Sequence, residues 1–385
     1  NSFEGKVVAG ISKYNGKELG AAIGGPIGDT FSGRLAVHQY TSDGYKSNTF
    51  INKDDTNGFD EQVVRARLNW KVTSDVEFDL NIFYLDVDNG YDAFSLNNSR
   101  SKTRSDQPGR DKQNTLAASL TNRFQLTDQL LLETTLTAKD VELKYSFDED
   151  WDNGQLCLNS PCPFGSWSSF DLYLRDRQEQ SLDVRLISQY ELNNSGDWRW
   201  LLGFYHQRRE EKLSQGQVSP FLSDYDIHRR AIYGQVEVQL SDNLTITTGL
   251  RGELFEDDYQ DNIPSKLDSK DNLWAGEISF GYAMNDDNRL YATLSRGDKA
   301  GGINTDANTD YSLLSDLFQN HIGGRLGFDQ ETLVNWELGL KSLTLDGSLA
   351  LNIAVFYMNR SDAQLETWIY DAAAFSWVGY LDNAD

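Results

Sequence analysis

Cysteine, histidine, proline and long apolar runs are all scarce in this sequence. Its 385 residues include two cysteines, four histidines and six prolines. No run of about 18 apolar residues occurs, so no segment reaches the length that a transmembrane helix needs. A transmembrane β-strand is not excluded, because it needs only about ten residues that alternate between apolar and polar.

The scarcity of histidine and cysteine also argues against catalysis and against a metal or cofactor site. The histidines are scattered, with no pair at a metal-binding spacing: His38, His206, His228 and His321. No Cys or Asp is placed around any of them in a catalytic arrangement. The sequence therefore predicts no enzyme, no catalytic residue, no metal site and no cofactor.

Positive charge is in deficit. The chain has 35 Lys and Arg residues against 59 Asp and Glu, which gives a net charge of -24. Nucleic acid is excluded as a partner, because phosphate binding requires clustered cations. Aromatic residues make up 12% of the chain, which a disordered segment would lack.

The two cysteines stand close together, at Cys157 and Cys162, in the polar stretch "CLNSPC". A disulfide that closes a tight loop in an oxidising compartment is favoured over a metal pair. Zinc would require further Cys or His nearby, and none is present.

The hydrophobic period is two along nearly the whole chain, which predicts β-strands. In "VVRARLNWKVT", residues 63–73, the apolar side chains fall on one face and the polar ones, including Arg65 and Arg67, on the other. The next run, "VEFDLNIFY", repeats the pattern after the tight turn "TSD".

This design recurs as a series of antiparallel hairpins with about fifteen strands, and a sixteenth begins in "AQLETWIYD". Short turns alternate with long loops rich in Asn, Asp, Ser and Gly, and "YSLLSDLFQN" predicts a small helix inside one loop. The sequence thus predicts an all-β fold, a transmembrane antiparallel β-barrel with short periplasmic turns and long extracellular loops.

Three stretches resemble the TonB-dependent outer-membrane receptors. "LYATLSRGDKAGGINT" and the following "FDQETLVNWELGLKS" are similar to a strand-and-loop pair of that family, with Asp298 and Gln330 as departures. "LGAAIGGPIGDTFSGRLAVHQYTSDGYKSN" is similar to its early barrel strands. Neither the Arg-Gly-Asp at 296–298 nor the Gly-rich turns need then be an adhesion motif or a phosphate loop.

The resemblance implies a barrel of about 22 strands with an N-terminal plug domain. Residues 1–385 are therefore predicted to be part of a receptor barrel, with the plug absent from this chain. An open sheet would expose two strand edges in lipid, which supports further strands in the whole protein. The implied location is the outer membrane of a Gram-negative bacterium.

The implied function is import of a scarce ligand, most consistent with a ferric siderophore complex, driven through the plug by the TonB–ExbB–ExbD complex. Cobalamin, haem and oligosaccharides stay open as cargo. A passive porin-type diffusion channel is the alternative from another class, and a receptor for phage or bacteriocins can coexist with transport.

The residues expected to act fall into two sets. Ligand contact is expected at the loops and upper strand ends, from aromatic and polar side chains: Tyr45, Tyr91, Trp151, Trp167, Arg208, Arg209, Tyr259, Lys299 and Asn304. Contact with the plug, or with an anionic ligand, is expected from cations on the lumen face: Arg65, Arg67, Arg185 and Arg251.

Overall fold

One antiparallel sheet of 15 strands contains most of the chain. The computed structural model describes residues 2–154, 168–217, 219–262, 266–305, 307, 314–344, 347–373 and 376–384. The strands of the large sheet follow each other in chain order, so the predicted number of about fifteen is confirmed.

The large sheet consists of β1 (Glu4–Ser12), β2 (Gly16–Pro26), β3 (Phe31–Ser42), β5 (Phe59–Lys71), β6 (Val76–Tyr91), β8 (Gly109–Thr127), β9 (Leu130–Asp148), β10 (Phe170–Ser188), β11 (Trp198–Gln215), β12 (Phe221–Ser241), β13 (Leu244–Asp261), β14 (Lys266–Asn285), β15 (Asn288–Lys299), β18 (Glu331–Thr344) and β19 (Leu349–Ser361). The other elements are β4 (Ser47–Asn48), β7 (Lys102–Thr103), β16 (Gly302–Ile303), helix α1 (Asp316–Ile322), β17 (Gly327–Phe328), β20 (Ala363–Asp371) and β21 (Ser376–Ala384).

The pairing of β5 with β6 shows how the alternating sequence sets the register. Leu68 lies opposite Leu80, and Arg67 lies opposite Asn81. Apolar residues therefore pair with apolar residues on one face of the sheet, and polar residues with polar residues on the other. The turn between the strands is closed by a backbone hydrogen bond of 2.9 Å from Val72 N to Val76 O. A shift of one residue would turn every apolar side chain to the polar face, which is why the register is fixed.

The connections differ between the two ends of the sheet. At what we call the turn end, they span 27–30, 72–75, 128–129, 189–197, 242–243, 286–287 and 345–348. At the loop end, four connections are long: 43–58, 92–108, 149–169 and 300–330. Three others at that end are short, at 13–15, 216–220 and 262–265. The predicted contrast between short turns at one end and long loops at the other therefore holds for only some of the hairpins.

The two faces of the sheet also differ. Apolar side chains at alternating positions are exposed on one face, the apolar face, for example Leu19, Ile23, Leu68, Leu136, Leu202, Ile232, Leu250, Ile278, Trp336 and Leu338. Ion pairs line the opposite, polar face, for example Arg67–Asp79, Lys139–Glu179, Arg177–Glu211 and Arg229–Glu253. Among the described residues, no helix is long and apolar enough to cross a bilayer.

The chain divides into two compact units. Unit 1 comprises Asn1–Asn122, Thr135–Gln180 and Arg209–Asp224, and unit 2 comprises Arg123–Thr134, Ser181–Arg208 and Tyr225–Asp385. In unit 1, β4 and β7 form a short parallel pair that joins the connections 43–58 and 92–108.

Unit 2 contains a small apolar core at its loop end. Its buried side chains are Ile322 of helix α1, Val378 and Tyr380 of β21, and Ala307 and Leu314, which precede the helix. The expected helix is therefore present, although it begins at Asp316 and residues 308–313 lie outside the described part. The expected sixteenth strand is corrected: β20 pairs with β21 in a separate two-stranded sheet and does not extend the large one.

Candidate functional site

A set of aromatic rings lies at the loop end of unit 1, and we call it the aromatic cluster. Its rings belong to Tyr91, Phe94, Tyr145, Phe147, Trp151 and Tyr173. The centroids of Tyr91 and Tyr145 are 5.0 Å apart, and Trp151 stacks on Phe94 at 5.1 Å. These separations are typical of favourable aromatic pairs. By strand alternation, Tyr91, Tyr145 and Tyr173 belong to the polar face.

Gly109, the first residue of β8, lies directly against the backbone of β9 at Ser146. A Cβ atom at this position would lie 1.8 Å from the carbonyl oxygen of Ser146. Only glycine fits such an approach. The Ser146 hydroxyl in turn accepts a hydrogen bond of 2.9 Å from the amide of Arg110. These contacts fix β8 against β9 close to Tyr145 and Phe147 of the cluster.

One cation, Arg175, stands beside these rings, and two further cations pair with Asp88, which alternates to the other face of β6 from Tyr91. The guanidinium of Arg175 lies 5.4 Å from the ring centroid of Tyr173, within the range of a cation–π contact. Arg110 and Lys112 both pair with Asp88, with Arg110 Nη1 at 3.3 Å from the carboxylate. A cavity of about 530 Å³, lined by residues from 42–60 and 88–110, opens beside Arg110. Aromatic faces and guanidinium groups are the side chains that hold planar or anionic ligands.

Asp92 holds the two connections 43–58 and 92–108 together. Its buried carboxylate accepts hydrogen bonds from the Asn48 amide at 3.1 Å, the Thr56 hydroxyl at 2.5 Å and the Thr103 hydroxyl at 2.6 Å. Asn48 also donates to the carbonyl of Ser105 at 2.8 Å. Because these donors belong to both connections, the shared acceptor ties the two loops to each other.

Three carboxylates converge near the aromatic cluster, and we call them the acidic cluster: Asp106, Asp148 and Asp150. Burial, together with the neighbouring Asp150 carboxyl, raises the pKa of Asp148 to about 7. Burial also raises the pKa of Asp152, which Arg104 opposes from 3.5 Å. Sequence reasoning looked to His and Cys and missed this cluster, although the alternating Asp at 148, 150 and 152 was a signal.

In unit 1, the polar face carries two of the cations expected to contact a plug. Arg67 forms a two-bond ion pair with Asp79, at 2.9 and 2.7 Å. The guanidinium of Arg65 lies 5.3 Å from the ring centroid of Phe83. Both line a cavity of about 550 Å³ on this face. Both side chains lie on the polar face, and each already has a partner within the sheet.

The other two expected plug contacts lie together in unit 2. Arg185 bonds Asp183 at 2.8 Å and the Tyr233 hydroxyl at 3.1 Å. Arg251 bonds Glu253, and its guanidinium lies 5.6 Å from the Tyr233 ring centroid. Both line a cavity of about 730 Å³. The structure thereby brings the two arginines to one tyrosine, which spacing in the sequence could not show.

The ligand residues expected in unit 1 take different positions. Tyr91 and Trp151 belong to the aromatic cluster, linked through Phe94. Tyr45 is exposed and tilts against Tyr14, with their centroids 6.1 Å apart. Arg209 lies on the polar face of β11 by strand alternation. Trp167 lies outside the described residues, as do Cys157 and Cys162 of the expected disulfide.

The ligand residues expected in unit 2 are mostly engaged within the protein. Tyr259 is only 1% exposed and packs against Tyr225. Asn304 is 6% exposed and bonds the carbonyls of Arg325 and Leu381, both at 2.8 Å. Arg208 forms a two-bond ion pair with Asp226. Lys299, the last residue of β15, is exposed to solvent.

The Arg-Gly-Asp segment at 296–298 is part of the sheet. Asp298 bonds the Thr332 hydroxyl at 2.8 Å and Arg296 at 2.8 Å, and its side chain is buried. The guanidinium of Arg296 lies 3.7 Å from the ring centroid of Trp274. These side chains are therefore internal contacts of β14, β15 and β18, as expected for a chance tripeptide.

The comparison with protein families identifies the class. A model described as "TonB dependent receptor-like, beta-barrel" matches residues 2–378, so the chain belongs to this family. The resemblance seen in the three sequence stretches is thereby confirmed. This is a family of receptors and transporters, which are not enzymes.

Individual relatives agree with this class at low identity. The chain is 24% identical over 234 residues to a pesticin receptor of Yersinia enterocolitica, a match that covers 56% of the chain and 32% of the relative. The ferric yersiniabactin uptake receptor FyuA from Yersinia pestis aligns with a TM-score of 0.74 and 18% identity, over 94% of this chain and 55% of FyuA. The alcaligin outer membrane receptor FauA from Bordetella pertussis aligns with a TM-score of 0.67 and 13% identity, over 99% and 56%. The chain thus spans about a third of the curated relatives that it matches and about half of these solved structures, and the structural likeness shows the fold.

Proposed function

We propose that this protein imports a scarce ligand across the outer membrane of a Gram-negative bacterium in a TonB-dependent manner. The observation that carries the proposal is the family match over residues 2–378. The chain contributes the membrane-spanning wall and the ligand-contacting loops. Its partners are the TonB–ExbB–ExbD complex, which acts through a plug domain, and the lipid of the outer membrane.

The distribution of side chains supports the membrane location. Apolar residues on one face are exposed to the surroundings, whereas the opposite face carries ion pairs. Exposed Trp70, Trp198 and Tyr282 lie within a few residues of the turn end, where aromatic rings favour a membrane interface. Several strands have 18 or more residues, such as β12, and only about 10 are needed to cross the bilayer. The excess length raises the loop end above the membrane.

For the cargo we propose an iron complex of a siderophore. Two of the similar structures are receptors named for such cargo. FyuA is a ferric yersiniabactin uptake receptor, and Fiu from E. coli is a ferric-catecholate import receptor. The aromatic cluster with Arg175 offers ring faces and a cation, which suit an anionic chelate with aromatic groups. Tyr91 and Trp151 are the ligand contacts for which this geometry gives most support, whereas the burial of Tyr259 and Asn304 disfavours them.

The arginines of the polar face fit contact with a plug. Arg65 and Arg67 in unit 1, and Arg185 and Arg251 in unit 2, line cavities on this face. We propose that the plug presents acidic or amide groups to them, since guanidinium groups form strong two-bond pairs with carboxylates.

Uptake of labelled iron tests this function. A deletion strain that carries the receptor gene on a plasmid is given a panel of ⁵⁵Fe complexes with catecholate, hydroxamate and phenolate siderophores. We expect accumulation of at least one complex, and we expect it to stop when a protonophore removes the energy source. Accumulation that persists without energy would instead indicate a passive diffusion channel.

Variants then test where the ligand binds. Tyr91→Ala combined with Trp151→Ala removes two rings of the aromatic cluster, and stacking contacts are worth about 1–3 kcal/mol together. We therefore expect about a fivefold or greater rise in the apparent KM for uptake. Trp198→Ala, at the turn end, is the control and should leave KM unchanged. An unchanged KM in the double variant would show that the ligand binds elsewhere. The proposal that the protein imports a ligand would not be affected.

A further inference from the structure

The acidic cluster is formed by two separate loop-end segments of unit 1. Asp106 belongs to the connection 92–108, Asp148 ends β9, and Asp150 follows two residues later. One carboxylate oxygen from each residue lies within 4.8 Å of the other two. The backbones also meet, because the amide of Asp106 donates a hydrogen bond of 3.0 Å to the carbonyl of Asp152.

Asp148 is the side chain that makes this cluster unusual. It is 6% exposed, and its Oδ2 atom accepts no hydrogen bond from any residue in the described part of the chain. Its Oδ1 atom accepts one bond, of 3.2 Å, from the amide of Asp150. Burying an ionised carboxylate oxygen without a partner is costly unless a positive charge or a proton compensates it.

No Lys or Arg of the described ranges forms an ion pair with any of the three carboxylates. The nearest cation on the same segment, Arg104, pairs with Asp152 at 3.5 Å. Asp152 also accepts a bond of 2.6 Å from the Asn153 amide. Asp152 is therefore compensated by its neighbours, whereas the acidic cluster gathers three carboxyl groups with no Lys or Arg counter-charge among the described residues.

The geometry of the cluster fits one hard divalent cation. Oxygen ligands lie at about 2.4 Å from Ca²⁺, so two ligands of one ion are at most about 4.8 Å apart. The three carboxylate oxygens satisfy that limit. Calcium accepts irregular, oxygen-only coordination, whereas Mg²⁺ requires a tighter octahedron and zinc favours nitrogen and sulfur ligands. The spacing Asp148-x-Asp150-x-Asp152 is also that of the first half of a calcium-binding loop.

We propose that Asp106, Asp148 and Asp150 bind a calcium ion that ties the connection 92–108 to the segment following β9. Trp151 lies directly after Asp150 and stacks on Phe94 of the first connection. The ion thereby fixes Trp151 in the aromatic cluster. This inference does not depend on which cargo the protein carries.

Terbium luminescence tests the site directly. Tb³⁺ replaces Ca²⁺ at oxygen sites and is sensitised by a nearby tryptophan, here Trp151. The receptor is refolded into detergent without lipopolysaccharide, which itself binds divalent cations. We expect saturable Trp-sensitised emission, and displacement by Ca²⁺ with a Kd on the order of 10⁻⁴ to 10⁻³ M, as in extracellular calcium modules. Displacement by Mg²⁺ at lower concentration than Ca²⁺ would overturn the assignment to calcium.

Substitutions locate the ion. Asp148→Asn and Asp150→Asn keep the side-chain shape and each remove one charged ligand, so we expect at least about tenfold weaker Tb³⁺ binding. Glu149→Gln is the matched control, because this exposed residue lies between the two and bonds the Ser169 hydroxyl instead. Equal losses in all three variants, or none, would refute the site.

Thermal unfolding separates loss of the ion from loss of the fold. In EDTA, Asp148→Asn should be at least as stable as the unsubstituted protein, because it relieves repulsion between carboxylates. Added Ca²⁺ should then raise the apparent Tm of the unsubstituted protein and of Glu149→Gln, but not that of Asp148→Asn. If no Tm responds to Ca²⁺ up to about 10 mM, well above the expected Kd, a proton on Asp148 neutralises the cluster and the proposal is wrong.

Discussion

At the scale of single residues, the loop end depends on a few buried polar side chains. Asp92 accepts bonds from Asn48, Thr56 and Thr103, which belong to two different connections. Lys46 adds a bond of 2.9 Å to the carbonyl of Ala93. The loops are therefore held by hydrogen bonds between side chains and backbone rather than by an apolar core, and each lost partner leaves others unsatisfied.

Asp92→Ala is expected to loosen these two connections. Removing the carboxylate deprives the buried Asn48 amide and Thr103 hydroxyl and the partly buried Thr56 hydroxyl of this acceptor, at about 1–3 kcal/mol for each buried group left unsatisfied. Amide hydrogen exchange should speed up across 43–58 and 92–108, and elsewhere stay as before. Asp54→Ala is the control in the same loop, because this exposed carboxylate accepts a bond from the Ser47 hydroxyl within the same connection. Unchanged exchange in Asp92→Ala would contradict the role assigned to Asp92.

At the scale of elements, helix α1 and the hairpin of β20 and β21 depend on each other. Ile322 of α1 is fully buried in the apolar core that Val378 and Tyr380 of β21 complete. Asn304 adds a pair of bonds to the backbone of Leu381, both at 2.8 Å. A helix of seven residues is too short to be stable alone, so tertiary packing supports it.

Ile322→Ala should therefore release both elements together. Truncating a fully buried Ile costs about 2–5 kcal/mol, which exceeds what a helix this short supplies by itself. We expect faster hydrogen exchange and earlier proteolytic cleavage in 314–322 and 363–384. Leu317→Ala is the control on the same helix, since its side chain is 76% exposed. Independent behaviour of helix and hairpin would show that this core does not couple them.

At the scale of the whole molecule, contact with membrane lipid accounts for the exposed apolar face of the sheet. Leu250 of β13 is 64% exposed although its side chain is apolar. It lies six residues beyond the start of the strand at Leu244, about 20 Å along it. With a strand tilt of about 40°, this places Leu250 near the middle of an apolar band about 25 Å tall.

Leu250→Arg is accordingly expected to destabilise the protein in lipid. A guanidinium at the bilayer midplane costs about 2–4 kcal/mol. Urea titration of the receptor folded into lipid vesicles should show the loss. Leu317→Arg, at a side chain of similar exposure at the loop end, should be nearly neutral because it faces water. Equal effects of the two substitutions would argue against lipid contact at Leu250.

Much of the fold was predictable, because a strand's period of two follows from local backbone geometry. The alternation in 63–73 and 76–84 predicted β5 and β6, with Arg67 and Leu68 on opposite faces as observed. The stretch 363–371 was correctly predicted as a strand, but its membership in the large sheet was wrong. Its partner is chosen by tertiary contacts, and the pattern of one strand does not specify which neighbour it pairs with.

The candidate site was predictable only in part. Residue type and loop position predicted Tyr91 and Trp151, because rings near strand ends suit ligand contact. The burial of Tyr259 and Asn304 was not predictable, since Asn304 meets Leu381 from 77 residues away. Tyr145, Tyr173 and Arg175 were missed. Tyr173 and Arg175 alternate with Leu172 and Leu174, which marked them as polar-face residues, whereas Tyr145 lies between Lys144 and Ser146 and carried no such signal.

The sequence by itself determined the strands, their apolar and polar faces and the family, because these depend on local periodicity and on short motifs. Only the tertiary structure decided which side chains of distant segments meet. It brought Asp106 to Asp148 and Asp150, and it brought Phe94 under Trp151. The physical reason is that contacts between loops depend on strand order and register over the whole sheet, which no local pattern contains.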